Sequence, residues 1–123
     1  PKSNFKKFPL SKRMKKTLRE RGITELFPIQ AAIFNFVYEN KDVIGRARTG
    51  TGKTLSYLLP VIERLDADGI SKLRGHKLLV LAPTRELAKQ VHRELELVAP
   101  HWTSTCIYGG VDYYPQVQAL RQG

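Results

Sequence analysis

Residues Ala47-Arg48-Thr49-Gly50-Thr51-Gly52-Lys53-Thr54 follow directly on the short apolar run Val43-Ile44-Gly45, and no other stretch restricts the fold so tightly. A loop of small and glycine residues ending in Gly-Lys-Thr can turn successive main-chain N–H groups toward a phosphate. The lysine then reaches the β and γ oxygens, and the threonine hydroxyl a Mg²⁺ ion. The generic phosphate-loop pattern has glycine where this chain has Ala47, so the reading leans on context, a strand before the loop and a helix after it. Both are legible: Val43-Ile44 suits a short buried strand, and Leu55, Leu58, Leu59, Ile62 and Leu65 recur at helical spacing. The start of that helix adds partial positive charge where phosphates would sit. The bland alternative is a glycine-rich turn that only joins a strand to a helix.

The same reasoning extends along the chain. Ser11 is a good N-cap, and Met14 and Leu18 follow at helical spacing, so residues 12–21 are expected to form an amphipathic helix that Gly22 ends. Pro28 suits a first helical turn, and Ile33, Phe36 and Val37 carry a second helix to about Glu39. The phosphate-loop helix runs from Lys53 to about Leu65, and the polar, glycine-containing stretch 66–76 reads as a surface connection. Lys77 to Ala82 is a continuous apolar strand of the kind buried on both faces, and Pro83 ends it. Thr84 caps a helix with apolar Leu87, Ala88, Val91, Leu95 and Val98. A third strand, Thr103 to Tyr108, meets Gly109-Gly110, and a last helix passes through Val117 and Leu120. Strands alternating with helices predict an α/β fold, a parallel sheet with helices on both faces. The loops after residues 46, 82 and 108 would then share the carboxyl edge, where ligands of such sheets bind.

Composition narrows the class further. A chain of 123 residues accommodates one small domain and no second full one. No apolar run approaches the ~20 residues of a membrane span, and the first residues are basic and polar without an apolar signal core. The lone Cys106 cannot form an internal disulfide, no Cys/His cluster has metal-ligand spacing, and a reducing interior such as cytoplasm or nucleus is expected. The net charge of +10 is uneven: residues 1–21 hold nine Lys or Arg against one acid, Glu20. A block this basic suits an anionic partner such as nucleic acid, or is simply a solvated helix face.

Three further patterns join the phosphate loop, and together they resemble the first part of the N-terminal RecA-like domain of a DEAD-box ATP-dependent RNA helicase. Gly22-Ile23-Thr24-Glu25-Leu26-Phe27-Pro28-Ile29-Gln30 is similar to the family's Q motif, with Phe5 as its isolated upstream aromatic; Leu26 stands where many members have proline. Ala47 to Thr54 resembles motif I, in which alanine is the usual first residue. Pro83-Thr84-Arg85-Glu86-Leu87-Ala88 matches motif Ia, and Gly109-Gly110 the paired-glycine motif. The resemblance implies a RecA-like parallel sheet, incomplete in this chain, with residues 1–41 as a basic helix and Q-motif region and 42–123 as the first part of the RecA-like domain. It implies ATP and Mg²⁺ as cofactors, and a second RecA-like domain as a partner within the parent chain.

Each motif has its own chemistry. The Gln30 amide can pair with adenine's N6 and N7, and Phe5 offers a face for the base; the bland readings are a solvated helix glutamine and a core contact shared with Phe8. Thr49, Gly50, Thr51, Gly52, Lys53 and Thr54 would hold phosphates and Mg²⁺. The resemblance assigns Pro83, Thr84, Arg85, Gly109 and Gly110 to the sugar-phosphate backbone of RNA, which suits a helix start, a bidentate arginine and a close main-chain approach. Helix capping by Thr84 and a tight turn at 109–110 would serve equally. Neither Asp-Glu-Ala-Asp nor Ser-Ala-Thr occurs in these residues, so the resemblance implies a portion of a longer enzyme, inactive alone. An ATP-binding module without turnover stays open as an alternative, and a phosphate-loop kinase explains fewer of the motifs.

Overall fold

A computed structural model describes residues 3–48 and 52–123. In chain order these give strand β1 (Ser3–Asn4), helix α1 (Lys12–Glu20), strand β2 (Glu25–Leu26), then helices α2 (Pro28–Tyr38), α3 (Lys53–Ala67), α4 (Arg85–Val98) and α5 (Tyr113–Gln122). All five expected helices form, the first four within about two residues of the boundaries read from spacing and caps. The caps explain why. Ser11 accepts from the Met14 N–H at 3.1 Å to start α1. At its end, Gly22 at φ +78° lets the Ile23 N–H reach Leu18 C=O and the Gly22 N–H reach Arg19 C=O, both at 2.9 Å. This six-to-one and five-to-two closure is the Schellman arrangement. Asn40, at φ +67°, closes α2 in the same way, through Lys41 to Phe36 and Asn40 to Val37.

The helices enclose one core. Leu18 and Met14 of α1, Phe34 of α2, Leu55, Leu58, Leu59 and Ile62 of α3, and Val98 at the end of α4 are buried together with Phe5 and Leu26. Truncating Leu18 or Leu58, both 0% exposed, would cost about 2–5 kcal/mol through lost burial and the cavity left behind. The core draws on both the N-terminal region and the residues after the phosphate loop.

Polar ties bind the basic N-terminal block to this core. Asp66 of α3 accepts from Trp102 Nε1 at 2.9 Å and from Arg13 at 3.2 Å, and meets His101 Nε2 at 2.8 Å. Burial pushes the Asp66 carboxyl up, but its bonds to Trp102, Ser71 and His101 outweigh this and hold it below the ordinary value. Arg21 pairs with Glu94 of α4 at 3.0 Å, and the Arg19 guanidinium lies 5.8 Å from the centre of the Phe5 ring. All three arginines of the basic block are thus engaged inside the fold.

The expected parallel sheet is not formed. The paired strands among the described residues are β1 and β2, antiparallel with Ser3 opposite Leu26 and Asn4 opposite Glu25. Segments 42–45, 77–82 and 103–108 carry no ladder, although Leu79 and Leu81 are 80% and 86% exposed and Ile44 fully so. The reason lies in their burial pattern. Along 78–82 and 103–108, half-buried and exposed residues alternate, the period of extended chain with one face packed and the other open. Leu78 packs against the helical core while Leu79 points away from it. The helices supply one covering layer, so the correction applies to both the sheet and its second helical face. Strands buried on both faces need neighbouring strands and a second layer, which the described residues do not provide. Cys106, in one of these segments, is a half-buried free thiol.

Glu63 is buried, 6% exposed, and accepts from the Ser11 N–H at 2.9 Å and the Ser11 hydroxyl at 3.3 Å. Burial raises its carboxyl above the ordinary value, only partly offset by the Ser11 bonds. The native state therefore holds a proton that the unfolded state has released just above the ordinary glutamate range, and stability contributed at this site falls as pH rises through that window. Urea unfolding at a series of pH values should show wild type losing stability relative to Glu63→Gln as pH rises, by at most about 1.4 kcal/mol per unit. Parallel curves for the two proteins would contradict the assignment.

Candidate functional site

Pro28 opens α2, which makes Gln30 the third helical residue, the position from which a side chain can reach back over the first turn. Its Oε1 accepts from the Phe27 N–H at 2.9 Å, and its Nε2 donates to the Gly52 carbonyl at 3.2 Å. The residue is 2% exposed, not a solvated helix residue. One side chain thereby joins the start of α2 to the start of α3. Each end of the amide keeps one more lone pair or N–H for a ligand.

Gly52 is required twice over. Its φ is +78°, and a Cβ there would fall 2.4 Å from Gln30 Nε2 and 3.0 Å from Phe27 Cδ2. It also opens α3 without any side-chain cap, whereas Ser11, Thr84 and Asp112 each cap their helices. Among the described residues no side chain caps the first N–H groups of α3, a place that suits an anion. Lys53, the first residue of α3, is exposed. Thr54 follows it, and its hydroxyl shares a hydrogen bond with the Tyr57 phenol, whose pKa burial nonetheless raises. Thr49, Gly50 and Thr51 lie outside the described residues.

Phe5 is placed differently from the expectation of an open stacking face. It is 2% exposed and belongs to the core, with the Arg19 guanidinium over its ring. Phe8 packs on Phe34 with ring centres 5.3 Å apart. The aromatic nearest the Gln30–Gly52 link is instead Phe27, which spacing alone did not mark.

A second group forms around the loops after residues 82 and 108. The Thr84 hydroxyl accepts from the Leu87 N–H at 3.1 Å and starts α4. Arg85, the first residue of α4, places its guanidinium 5.7 Å from the centre of the Tyr108 ring, and Lys89 one turn later places Nζ 4.8 Å from the same centre. A Cβ on Gly110, at φ +81°, would fall 2.8 Å from Arg85 Nη2, while one on Gly109 would meet nothing. The left-handed backbone at Gly110 favours glycine there, whereas the mobile end of Arg85 could shift to admit a Cβ. The Tyr108 N–H donates to Gln116 Oε1 at 2.8 Å, and Gln116 Nε2 donates to the Asp112 carbonyl at 3.2 Å, fixing the first turn of α5 beside the loop. Pro83 is exposed at the entry to this turn. Spacing four residues after Arg85 could have signalled Lys89; nothing in the sequence singles out Gln116.

Among the described residues no group of three or more His, Cys, Asp or Glu side chains could hold a metal ion, and no helix is long and apolar enough to cross a membrane. The arrangement suits an anionic ligand at the start of α3 beside a buried amide, and a separate anionic chain across Thr84, Arg85 and Gly110.

Comparison with known proteins gives the family. A family profile described as DEAD/DEAH box helicase matches residues 27–123. The human protein named ATP-dependent RNA helicase DDX50 is 49% identical over 121 residues, covering 97% of this chain and 16% of its own length. Nucleolar RNA helicase 2-B of Xenopus laevis is 46% identical over 122 residues, covering 98% of this chain and 15% of its own. The crystal structure of the RNA helicase Prp28 from Chaetomium thermophilum bound to ADP superposes with a TM-score of 0.83 at 35% identity, over 98% of this chain and 30% of that one. The chain therefore spans about a sixth of the length of these two curated relatives.

Because Gly22 and Gly52 share the same φ but only Gly52 faces a neighbour, the two separate conformational strain from collision. Gly22→Ala should cost about 1–2 kcal/mol from the left-handed backbone alone, and Gly52→Ala distinctly more by urea unfolding. Adding Gln30→Ala to Gly52→Ala should remove most of that excess in a double-mutant cycle. Equal costs for the two glycines would show that the Gln30 contact is not tight.

Proposed function

This chain belongs to the DEAD/DEAH box helicase family, and we propose that its residues form the ATP-binding half-site and part of the RNA face of an ATP-dependent RNA helicase. The observation that carries the proposal is the buried Gln30 amide, bonded at once to the Phe27 N–H and the Gly52 carbonyl. Its remaining lone pair suits the N6 amino group of adenine and its remaining N–H suits N7. Guanine would set its O6 against the amide oxygen. The base reader is thus fastened to the loop that would take the phosphates.

The uncapped amides at the start of α3, the Lys53 ammonium and the residues Thr49 to Gly52 would hold the triphosphate. Thr54 would hold Mg²⁺ through its hydroxyl in exchange for the Tyr57 bond. When bound, the ion neutralises charge that builds on the phosphate oxygens. Stacking of adenine on Phe5 belongs to the same proposal and requires that the ring come out of its present burial. Thr84, Arg85, Pro83, Gly109 and Gly110 would meet the sugar-phosphate backbone, giving affinity with little sequence preference.

A second RecA-like domain of the parent protein would supply the opposing wall of the cleft, with residues 1–41 as a basic helix and Q-motif region and 42–123 as the first part of the first domain and its parallel sheet. The absence of an Asp-Glu-Ala-Asp run from these residues carries no weight against turnover, because they correspond to a sixth of the relatives' length. The name of the Xenopus laevis relative, a nucleolar RNA helicase, suits a nuclear location and a free thiol at Cys106.

ATP hydrolysis by the intact protein should rise on addition of RNA; a rate indifferent to RNA would overturn the proposal. Lys53→Ala should weaken ATP binding by about 1.5–3 kcal/mol, through loss of a charge-assisted contact, read by titration calorimetry. Gln30→Ala should mainly erode the preference for ATP over GTP in competition, and an undiminished preference would remove the base-reading role.

A further inference from the structure

Two of the most exposed aromatic side chains in the described residues stand side by side. Tyr113 and Tyr114, the first two residues of α5, are 78% and 67% exposed, and Val111 just before them is 49% exposed. Tyrosine rings usually bury much of their area, so an adjacent pair open to solvent invites a partner.

Its surroundings indicate which partner. The turn that bears the pair is held against Tyr108 by Gln116, and the Tyr108 ring lies under both Arg85 and Lys89. Arg85, Lys89 and Arg93 follow one another at four-residue intervals along α4, all exposed, and none is ion-paired among the described residues. Like charges at this spacing oppose one another by a few tenths of a kcal/mol per pair. The stripe ends at Glu96, which meets His92, and Asp112 is the acid nearest the tyrosines, its carboxylate turned back to the Tyr114 N–H at 3.3 Å. Cations without an acid partner, joined through Tyr108 and Gln116 to a turn that bears open aromatic rings, are a combination that suits single-stranded nucleic acid, the cations following the phosphates and the rings taking the bases.

We infer that Tyr113 and Tyr114 form a base-stacking platform for an unpaired nucleotide of the strand whose backbone lies across Thr84, Arg85 and Gly110. This rests on the reading of that turn as an RNA face and adds a base contact to a surface otherwise limited to backbone. Because every base has a π-face, the platform would favour single strands over duplex, whose bases are stacked on one another, without choosing a sequence. The Asp112 and Gln116 bonds fix where the platform starts, which makes the stacked nucleotide a fixed distance along the strand from the Arg85 contact.

The test uses the intact protein with a non-hydrolysable ATP analogue, and fluorescence anisotropy with a labelled oligouridine strand and the same strand made fully abasic. Tyr113→Ala/Tyr114→Ala should bind the base-bearing strand about 5- to 100-fold more weakly, whereas Tyr113→Phe/Tyr114→Phe, which keeps the rings, should bind as wild type does. Wild type should lose a similar factor on the abasic strand, and the alanine variant should no longer distinguish the two strands. Arg85→Ala/Lys89→Ala should weaken both strands alike and lower the slope of affinity against salt by about two. If the tyrosine-to-alanine variant matches wild type on both strands while the arginine-lysine variant is weakened, the platform is refuted and the RNA face stands. If the arginine-lysine variant also binds as wild type, the reading of the face as RNA-binding falls with it.

Discussion

The bond from the Gln30 amide to the Gly52 carbonyl is the contact on which the arrangement of this chain turns. It crosses from the start of one helix to the start of another, spans 22 residues of sequence and comes from a buried side chain. Without it the first turn of α3 would be aimed only by packing of its apolar face. With it, a polar atom that could read a ligand is held in register with main-chain amides that could bind the same ligand's charge. The bond demands a residue without a side chain at position 52, and the left-handed backbone there demands the same residue for a separate reason. Sterics and conformation agree on glycine at the start of α3.

The second group follows the same logic with different groups. Thr84 caps a helix and Gly110 clears space, and between them Arg85 lies across a tyrosine ring. A guanidinium over an aromatic face is oriented without being neutralised, so its N–H groups remain available for phosphate in a defined plane. Capping and ligand contact are then successive uses of one local structure, not competing explanations of it.

Much of this was legible in the sequence because it depends on local chemistry. Ser11, Gly22, Pro28 and Thr84 mark helix ends by what their own backbones and side chains can do within a few residues, and the helices end where those residues stand. The start of α3 at Gly52 and Lys53 was legible for the same reason. The sheet was not, because a strand is defined by a partner that periodicity along one segment cannot reveal. Lys77 to Ala82 is apolar throughout, as a doubly buried strand should be, yet one of its faces has no layer to meet. Phe5 shows the converse: resemblance marks it as a ligand contact, and the fold gives it a place in the core beneath Arg19. Gln30 carried a signal that isolated side-chain chemistry undervalued, since a glutamine at the third helical position can satisfy the N–H just before the helix.

The half-covered segments 77–82 and 103–108 bear on how a longer chain would assemble. Their inner faces are already seated on α3 and α4, so their side-chain alternation is set before any neighbour arrives. A strand joining them meets a preformed template, and a slip of one residue would drive that strand's own side chains to the wrong face. Part of the loop-closure entropy of a sheet would then be met within the helical core before further strands add. Until they do, the same open row of main-chain N–H and C=O groups is a place where two nascent copies could pair with each other.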